Sequence, residues 1–194
     1  MMRWAAGGRR WAVLIGALIA MGAWQVSEAA WIHAKAIVAQ ELIASAWKDA
    51  RDGKVARRPW PWADMRPVAR LTVPSRNIEL FVLDNASNRA LAFGPAHVSG
   101  TAAPGSEGNA VIVAHRDTHF AFLRHLDADD EIDVEGLHGT ARYRVREVVV
   151  VDKSDTRVLE AADSPQLTLI TCFPFDGVRS GTPLRYVVIA DRIV

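Results

Sequence analysis

After Pro67 the chain is written in short runs of β-branched, aromatic and other apolar residues parted by turn residues, a pattern that narrows the fold more than anything else in the 194 residues. "VARLTVP" and "IELFVLD" flank the turn "SRN" as a hairpin, and "NAVIVAH", "DEIDVEG", "ARYRVREVVVVD", "QLTLITC" and "PLRYVVIADRIV" follow. Seven such runs with no long helical pattern between them imply a mainly β domain, closed as a barrel or folded as a sandwich. "LDNASNRALAFGPAHVSG" predicts a short helix and then a Gly/Pro loop, and Phe120 to Leu126 a second helical turn. The length suffices for one domain of this kind with an appendage.

The appendage is N-terminal. Trp11 to Ser27, "WAVLIGALIAMGAWQVS", carries no charge and follows Arg3, Arg9 and Arg10, while the first acidic residue is Glu28. This pattern predicts a single membrane-spanning helix with its basic flank inside and the rest of the chain exported. A cleaved signal peptide is the competing reading, with Ser27 and Ala29 as small residues before Ala30. Trp31 to Lys48 continues as helix, with Ile32, Ala36, Ala39 and Ile43 at helical spacing. Gly53, Pro59, Pro61 and Pro67 then break the periodicity and predict a linker carrying Trp60 and Trp62. The expected organisation is a cytoplasmic flank and anchor over 1–30, a helix and Pro/Trp linker over 31–67, and the β domain over 68–194.

A formal net charge of +1, and no Lys/Arg patch interleaved with aromatics, argue against a nucleic-acid partner. One cysteine excludes an internal disulfide and any Cys-x-x-Cys site. In an oxidising compartment an unpaired thiol is a hazard unless it is buried or its reactivity is used.

That thiol, Cys172, ends the run "LTLIT" and precedes the loop "FPFDGVRSGTP", which places it at the lip of a sheet. The next run, "LRYVVIA", should pair with the first and bring Arg185 alongside. A second strand end, "NAVIVAH", stops at His115. A cysteine nucleophile acts as its thiolate, and a neighbouring imidazole supplies and removes protons. An arginine stays charged and donates paired hydrogen bonds to a carbonyl oxygen or an oxyanion. Cys172, His115 and Arg185 therefore form a chemically complete set. The bland alternatives are a buried core cysteine and an arginine on a solvated face. His115 and His119 have a metal-pair spacing only on a helix, and His115 closes a strand. His33, His97, His125 and His138 suit surface or turn positions, and no metal or cofactor is expected.

"TLITC", Thr168 to Cys172, matches the Thr-Leu-x-Thr-Cys signature of sortases, the membrane-anchored cysteine transpeptidases of bacterial surfaces. "AHRDT" and "PLRYVV" resemble the sortase histidine and arginine segments, in the family's order along the chain. The resemblance extends from "RLTVPSRNIELFVLD" to the C-terminus, and "TCFPFDGVRSGTPLRYVV" is most similar to the Gram-negative branch called class GN. One departure is Ala114, where many sortases have glycine before the histidine.

The resemblance implies an eight-stranded closed β-barrel with short helices behind an N-terminal transmembrane helix. It implies that Cys172 attacks the scissile peptide carbonyl to form a thioacyl enzyme, and that His115 protonates the departing amine and later deprotonates the incoming one. Arg185 would hold the substrate carbonyl or the oxyanion, and Thr171 would add a donor or position the substrate backbone. The implied partners are an exported protein with a C-terminal Leu-Pro-x-Thr-Gly-like sorting signal, cut after Thr, and an amine acceptor. The implied location is the bacterial cytoplasmic membrane with the barrel outside. Two other readings are an inert-thiol peptide-binding barrel and a cysteine hydrolase. A peptidoglycan transpeptidase of the other cysteine type would have its histidine close to the cysteine in sequence. The acidic run Asp127, Asp129, Asp130, Glu131 and Asp133 reads as a solvated turn.

Overall fold

The computed structural model describes residues 5–53, 57–137, 139–177 and 181–193. His138, Arg3, residues 54–56 of the expected linker and residues 178–180 of the loop after Cys172 lie outside them, as do the side chains of Ile32 and His33. The chain divides into two compact units, 1–40 and 41–194.

The first unit is helical, part of α1 (Ala5–Arg51). Trp11, Val13, Leu14, Ile15, Leu18, Ile19 and Trp24 are exposed along it. Among the described residues, no helix is long and apolar enough to cross a membrane. The helix expected over Trp11 to Ser27 forms.

In the second unit eight strands close into a barrel among the described residues: β1 (Pro67–Val73), β2 (Ile78–Leu83), β3 (Ala96–His97), β4 (Asn109–Val113), β5 (Glu131–Gly136), β6 (Thr140–Asp152), β7 (Gln166–Phe173) and β8 (Leu184–Ile193). Their order around the barrel is β1-β2-β3-β4-β7-β8-β6-β5. Closure leaves no sheet edge to be protected. Two pairs are parallel, β2 with β3 and β4 with β7, and the rest are antiparallel. Strand β3 is only two residues long, too short to leave a period-two signal, and lies in the stretch expected as a Gly/Pro loop.

Alternation sets inside from outside. Ala69, Leu71 and Val73 of β1, Ile132 and Val134 of β5, Ala141, Tyr143 and Val145 of β6, and Leu167 and Leu169 of β7 fill the interior. Burying a side chain of this size contributes about 1.5–3 kcal/mol. A register shift between Val145 and Glu147 makes Arg146 the extra residue of a bulge. Beyond it the inward positions of β6 change parity, so that Val148 packs on the interior cluster and Val149 and Val151 face outward.

The last turns of α1 and the Pro/Trp segment pack with the barrel. Ile43 joins Met65, Leu83, Ala90 and Ala96 in a second apolar cluster, and Trp60 meets Phe93 edge-on with ring centroids 5.2 Å apart. Trp62 is exposed. The two short helical elements expected from the sequence form as α2 (Asn88–Leu91) and a 3-10 turn at Ala121–His125. The Ser87 hydroxyl caps α2 by accepting from the Ala90 amide at 3.2 Å.

Candidate active site

Strand β7 is the axis of the site. On one side β4 runs parallel to it, its ladder ending at Val113 opposite Ile170, with the Ala114 amide donating to the Ile170 carbonyl at 3.3 Å. Carried two residues past that last pair, the same register would set His115 opposite Cys172. On the other side Cys172 is paired directly with Arg185 of β8. Ala110 and Ile112 of β4, Ala114 just past its end, Leu167 and Leu169 of β7, and Val188 and Ala190 of β8 point into the barrel. His115, Cys172 and Arg185 have the opposite parity and fall on the outer face of three adjacent strands, which in a sheet lie about 4.8 Å apart.

Cys172 is half-buried at the strand's end, Arg185 is half-buried and His115 is exposed. The Arg185 guanidinium is held by its own loop: Nη1 donates to the carbonyls of Thr182 at 2.7 Å and Leu184 at 2.9 Å. Among the described residues this leaves its Nε and Nη2 for another acceptor. Its charge reaches Asp152, whose carboxyl is held below the usual range by hydrogen bonds from Ser154 and further by Lys153 and Arg185.

Thr171 has inward parity and is buried, and its hydroxyl donates to the Ala114 carbonyl at 2.8 Å. This hydrogen bond ties the histidine segment to β7. His119 lies close enough to His115 to feel its charge. Burial pushes the His119 imidazole below its usual value, and repulsion from His115 adds to this, against a hydrogen bond with the backbone of Ala92. His97 ends β3, with Nε2 2.9 Å from the Ala102 carbonyl and 3.1 Å from the Thr101 hydroxyl. Asp130 in the acidic run is turned to Ser75 and Arg76. Among the described residues no group of three or more His, Cys, Asp or Glu side chains is gathered to hold a metal.

Two features of the site escape sequence reasoning. The first is Arg116, next to His115 and only 8% exposed, with Nη1 donating to the Pro174 carbonyl at 2.7 Å and Nη2 to the Gly177 carbonyl. Its position after a strand-ending histidine in "AHRDT" was the available signal, but nothing local says that this arginine turns inward. The second is an aromatic group at the barrel's lip. Phe173 stacks on Tyr186 at 6.1 Å, Phe175 meets Tyr186 edge-on at 5.0 Å, and Arg124 lies 4.7 Å over Phe175. Burial raises the Tyr186 phenol above its usual value, and the Asp127 charge adds to it.

A closed eight-stranded β-barrel with a thiol, an imidazole and a guanidinium on adjacent strand ends defines a cysteine-centred barrel protein. The sortase domain family model matches residues 71–193, more than half the chain. The protein belongs to the sortase family. It is 29% identical over 124 residues to sortase D of Bacillus subtilis (strain 168), a match covering 63% of this chain and 62% of the relative. The chain thus spans somewhat less than two thirds of that relative's length.

Among solved structures, sortase A from Corynebacterium diphtheriae superposes with a TM-score of 0.60 at 26% identity, covering 69% of this chain and 63% of that one. Sortase C-1 from Actinomyces oris gives 0.59 at 26% identity, over 80% and 99% of the two chains. The Clostridium perfringens sortase D5 transpeptidase shares the fold, with a TM-score of 0.65 at 22% identity over 81% and 99%.

Proposed function

We propose that the protein is a cysteine transpeptidase acting on a C-terminal Leu-Pro-x-Thr-Gly-like sorting signal of an exported protein. The observation that carries this is the placement of Cys172 between His115 and Arg185 on one outer face of β4, β7 and β8. In this reading the Cys172 thiolate attacks the Thr carbonyl carbon of the scissile Thr–Gly bond, and Arg185 donates to the oxyanion through the groups its loop carbonyls leave open. The tetrahedral species collapses, the C–N bond breaks, and the departing amine takes a proton from His115. An acceptor amine then gives a proton to His115 and attacks the thioester, and the C–S bond breaks to return the thiolate.

Family membership supports the class of reaction. The segment "TCFPFDGVRSGTPLRYVV" supports placing it with the Gram-negative branch. For location, we take residues 1–30 as a cytoplasmic flank and membrane anchor, 31–67 as a connecting segment and 68–194 as an extracytoplasmic barrel. Arg9 and Arg10 before the uncharged run, and the exposed apolar side chains along that helix, support this reading. Fractionation of expressing cells, followed by protease treatment of intact spheroplasts, tests the topology: a cytosolic or protected barrel overturns it.

The activity is tested with the full chain and a Leu-Pro-x-Thr-Gly-type peptide library, with and without an amine acceptor, scored by mass spectrometry beside Cys172→Ala. Amine-joined product cut after Thr and dependent on Cys172 is the expected result. A labelled thiol with no peptide cut would refute the substrate class, and product formed equally by Cys172→Ala would refute the mechanism.

A further inference from the structure

His115 stands beyond the end of its own ladder, since β4 stops at Val113. Its register with Cys172 must therefore be held by something other than sheet hydrogen bonds. Two side chains do this, one on either side of the histidine. Thr171, before Cys172, donates to the carbonyl of Ala114, before His115. Arg116, after His115, donates to the carbonyls of Pro174 and Gly177, after Cys172. The histidine and the cysteine are thus each bracketed by residues bonded to the other's neighbours.

A guanidinium so little exposed is costly to bury unless its N–H groups meet acceptors, and its planar fork suits two carbonyls where an ammonium presents a point charge. Gly177 is fitted to the same contact. A Cβ there would lie 3.0, 3.2 and 3.3 Å from Nη1, Nη2 and Cζ of Arg116, tighter than ordinary packing. Gly177 does not have a positive φ, so room for the guanidinium rather than backbone conformation explains the missing side chain.

We propose that Arg116 is a positioning residue, whose guanidinium clamps the histidine segment to the loop after Cys172 and so holds imidazole and thiol in reacting register. The proposal rests on the transpeptidase reading above. A residue of this kind does not touch substrate, so its loss should act on turnover and on the coupling of thiol to imidazole and leave substrate affinity alone.

The test compares Arg116→Lys, Arg116→Gln and Gly177→Ala with the wild-type full chain and with Cys172→Ala. Readouts are kcat and KM with a cleaved Leu-Pro-x-Thr-Gly-type peptide, and the pH profile of Cys172 alkylation by iodoacetamide, each normalised to the folded fraction. Both arginine variants are expected to lose about 10- to 100-fold in kcat with KM nearly unchanged, because a misplacement of about 1 Å suffices for a loss of that size. They should also displace the alkylation profile, and Gly177→Ala should give a smaller change of the same kind. Should the arginine variants fail to fold, Gly177→Ala decides, since alanine is compatible with that backbone. Wild-type kcat and profile per folded molecule, or a loss confined to KM, overturns the proposal. If Cys172→Ala keeps full activity the transpeptidase reading falls instead, and the alkylation profile alone then decides whether Arg116 sets the environment of the thiol.

Discussion

The outer surface of the barrel has two sides of opposite chemistry, and β6 contributes to both. On β1, β5 and the first half of β6 the outward positions are ionic. Arg142 bonds Asp133 at 2.6 Å, Arg144 bonds Glu131 at 3.0 Å, and Arg70 bonds Glu135 at 2.7 Å. On β4, β7, β8 and the second half of β6 they are mostly apolar: Val111, Ile170 and Val187 are buried, with Val149, Val151 and Ile189 beside them on the strands and Val98, Val158 and Leu159 packed against them. The loop that covers this second side is pinned by buried Asn109, whose Nδ2 donates to the carbonyls of Val158 at 3.1 Å and Glu160 at 2.9 Å. His115, Cys172 and Arg185 stand at the end of the apolar side.

The difference teaches what each side is for. Exposed ion pairs contribute little to stability and keep a face soluble. A desolvated apolar sheet fixes its strands closely, which is what the proposed reaction would need to hold three groups in place, and it strengthens the electrostatics beside it.

The largest expected contrast is in activity. Cys172→Ala should lower turnover by at least about a thousandfold, because the covalent route is lost, while the melting temperature stays close to wild type. Arg144→Gln on the ionic side should leave turnover unchanged in the same assay; a comparable loss there would erase the distinction between the two sides.

Thr171→Val comes next. It removes a donor from the buried Ala114 carbonyl, at an expected cost of about 1–3 kcal/mol in urea unfolding, with turnover reduced as the histidine segment loosens. An unchanged midpoint would show that this hydrogen bond does not hold the site.

A smaller effect is expected from His119. Its folded-state imidazole is held below the usual value of 6.5, so between that value and the lower folded one the unfolded chain binds more protons. The stabilising contribution is complete above pH 6.5 and is lost as pH falls through the window below it. His119→Gln should flatten that part of the stability curve, read by thermal melting from pH 7 to 5.

The smallest belongs to Asp155 in the covering loop. Hydrogen bonds from Arg157 hold its carboxyl down to about 2 from 3.8. Its contribution is present above 3.8 and fades only as pH falls toward 2. A carboxyl carbon titration by NMR should find that value, and Arg157→Gln should move it back up.

Much of this was legible in the sequence because strand ends are local features. "LTLITC" followed by a Pro/Gly loop, and "NAVIVAH" followed by polar residues, place a thiol and an imidazole at sheet lips without any tertiary information. Antiparallel pairing across one connecting loop set Arg185 beside Cys172 in the same way. The N-terminal stretch gave helix correctly, because propensity is local.

Other features had no local signal. "REVVVV" has no alternation from which to read an inside and an outside; the bulge at Arg146 decides it, and with it where the ionic side gives way to the apolar one. The parallel pairing of β4 with β7, strands distant in the chain, is what puts His115 next to Cys172. The inward turn of Arg116 depends on carbonyls supplied by the loop after Cys172. The sequence by itself determined which side chains stand at strand ends and which face of each regular strand is apolar, because alternation and turn chemistry act over a few residues. Only the tertiary structure decided which ends meet, because partner and register follow from closing the barrel, a condition on all eight strands at once.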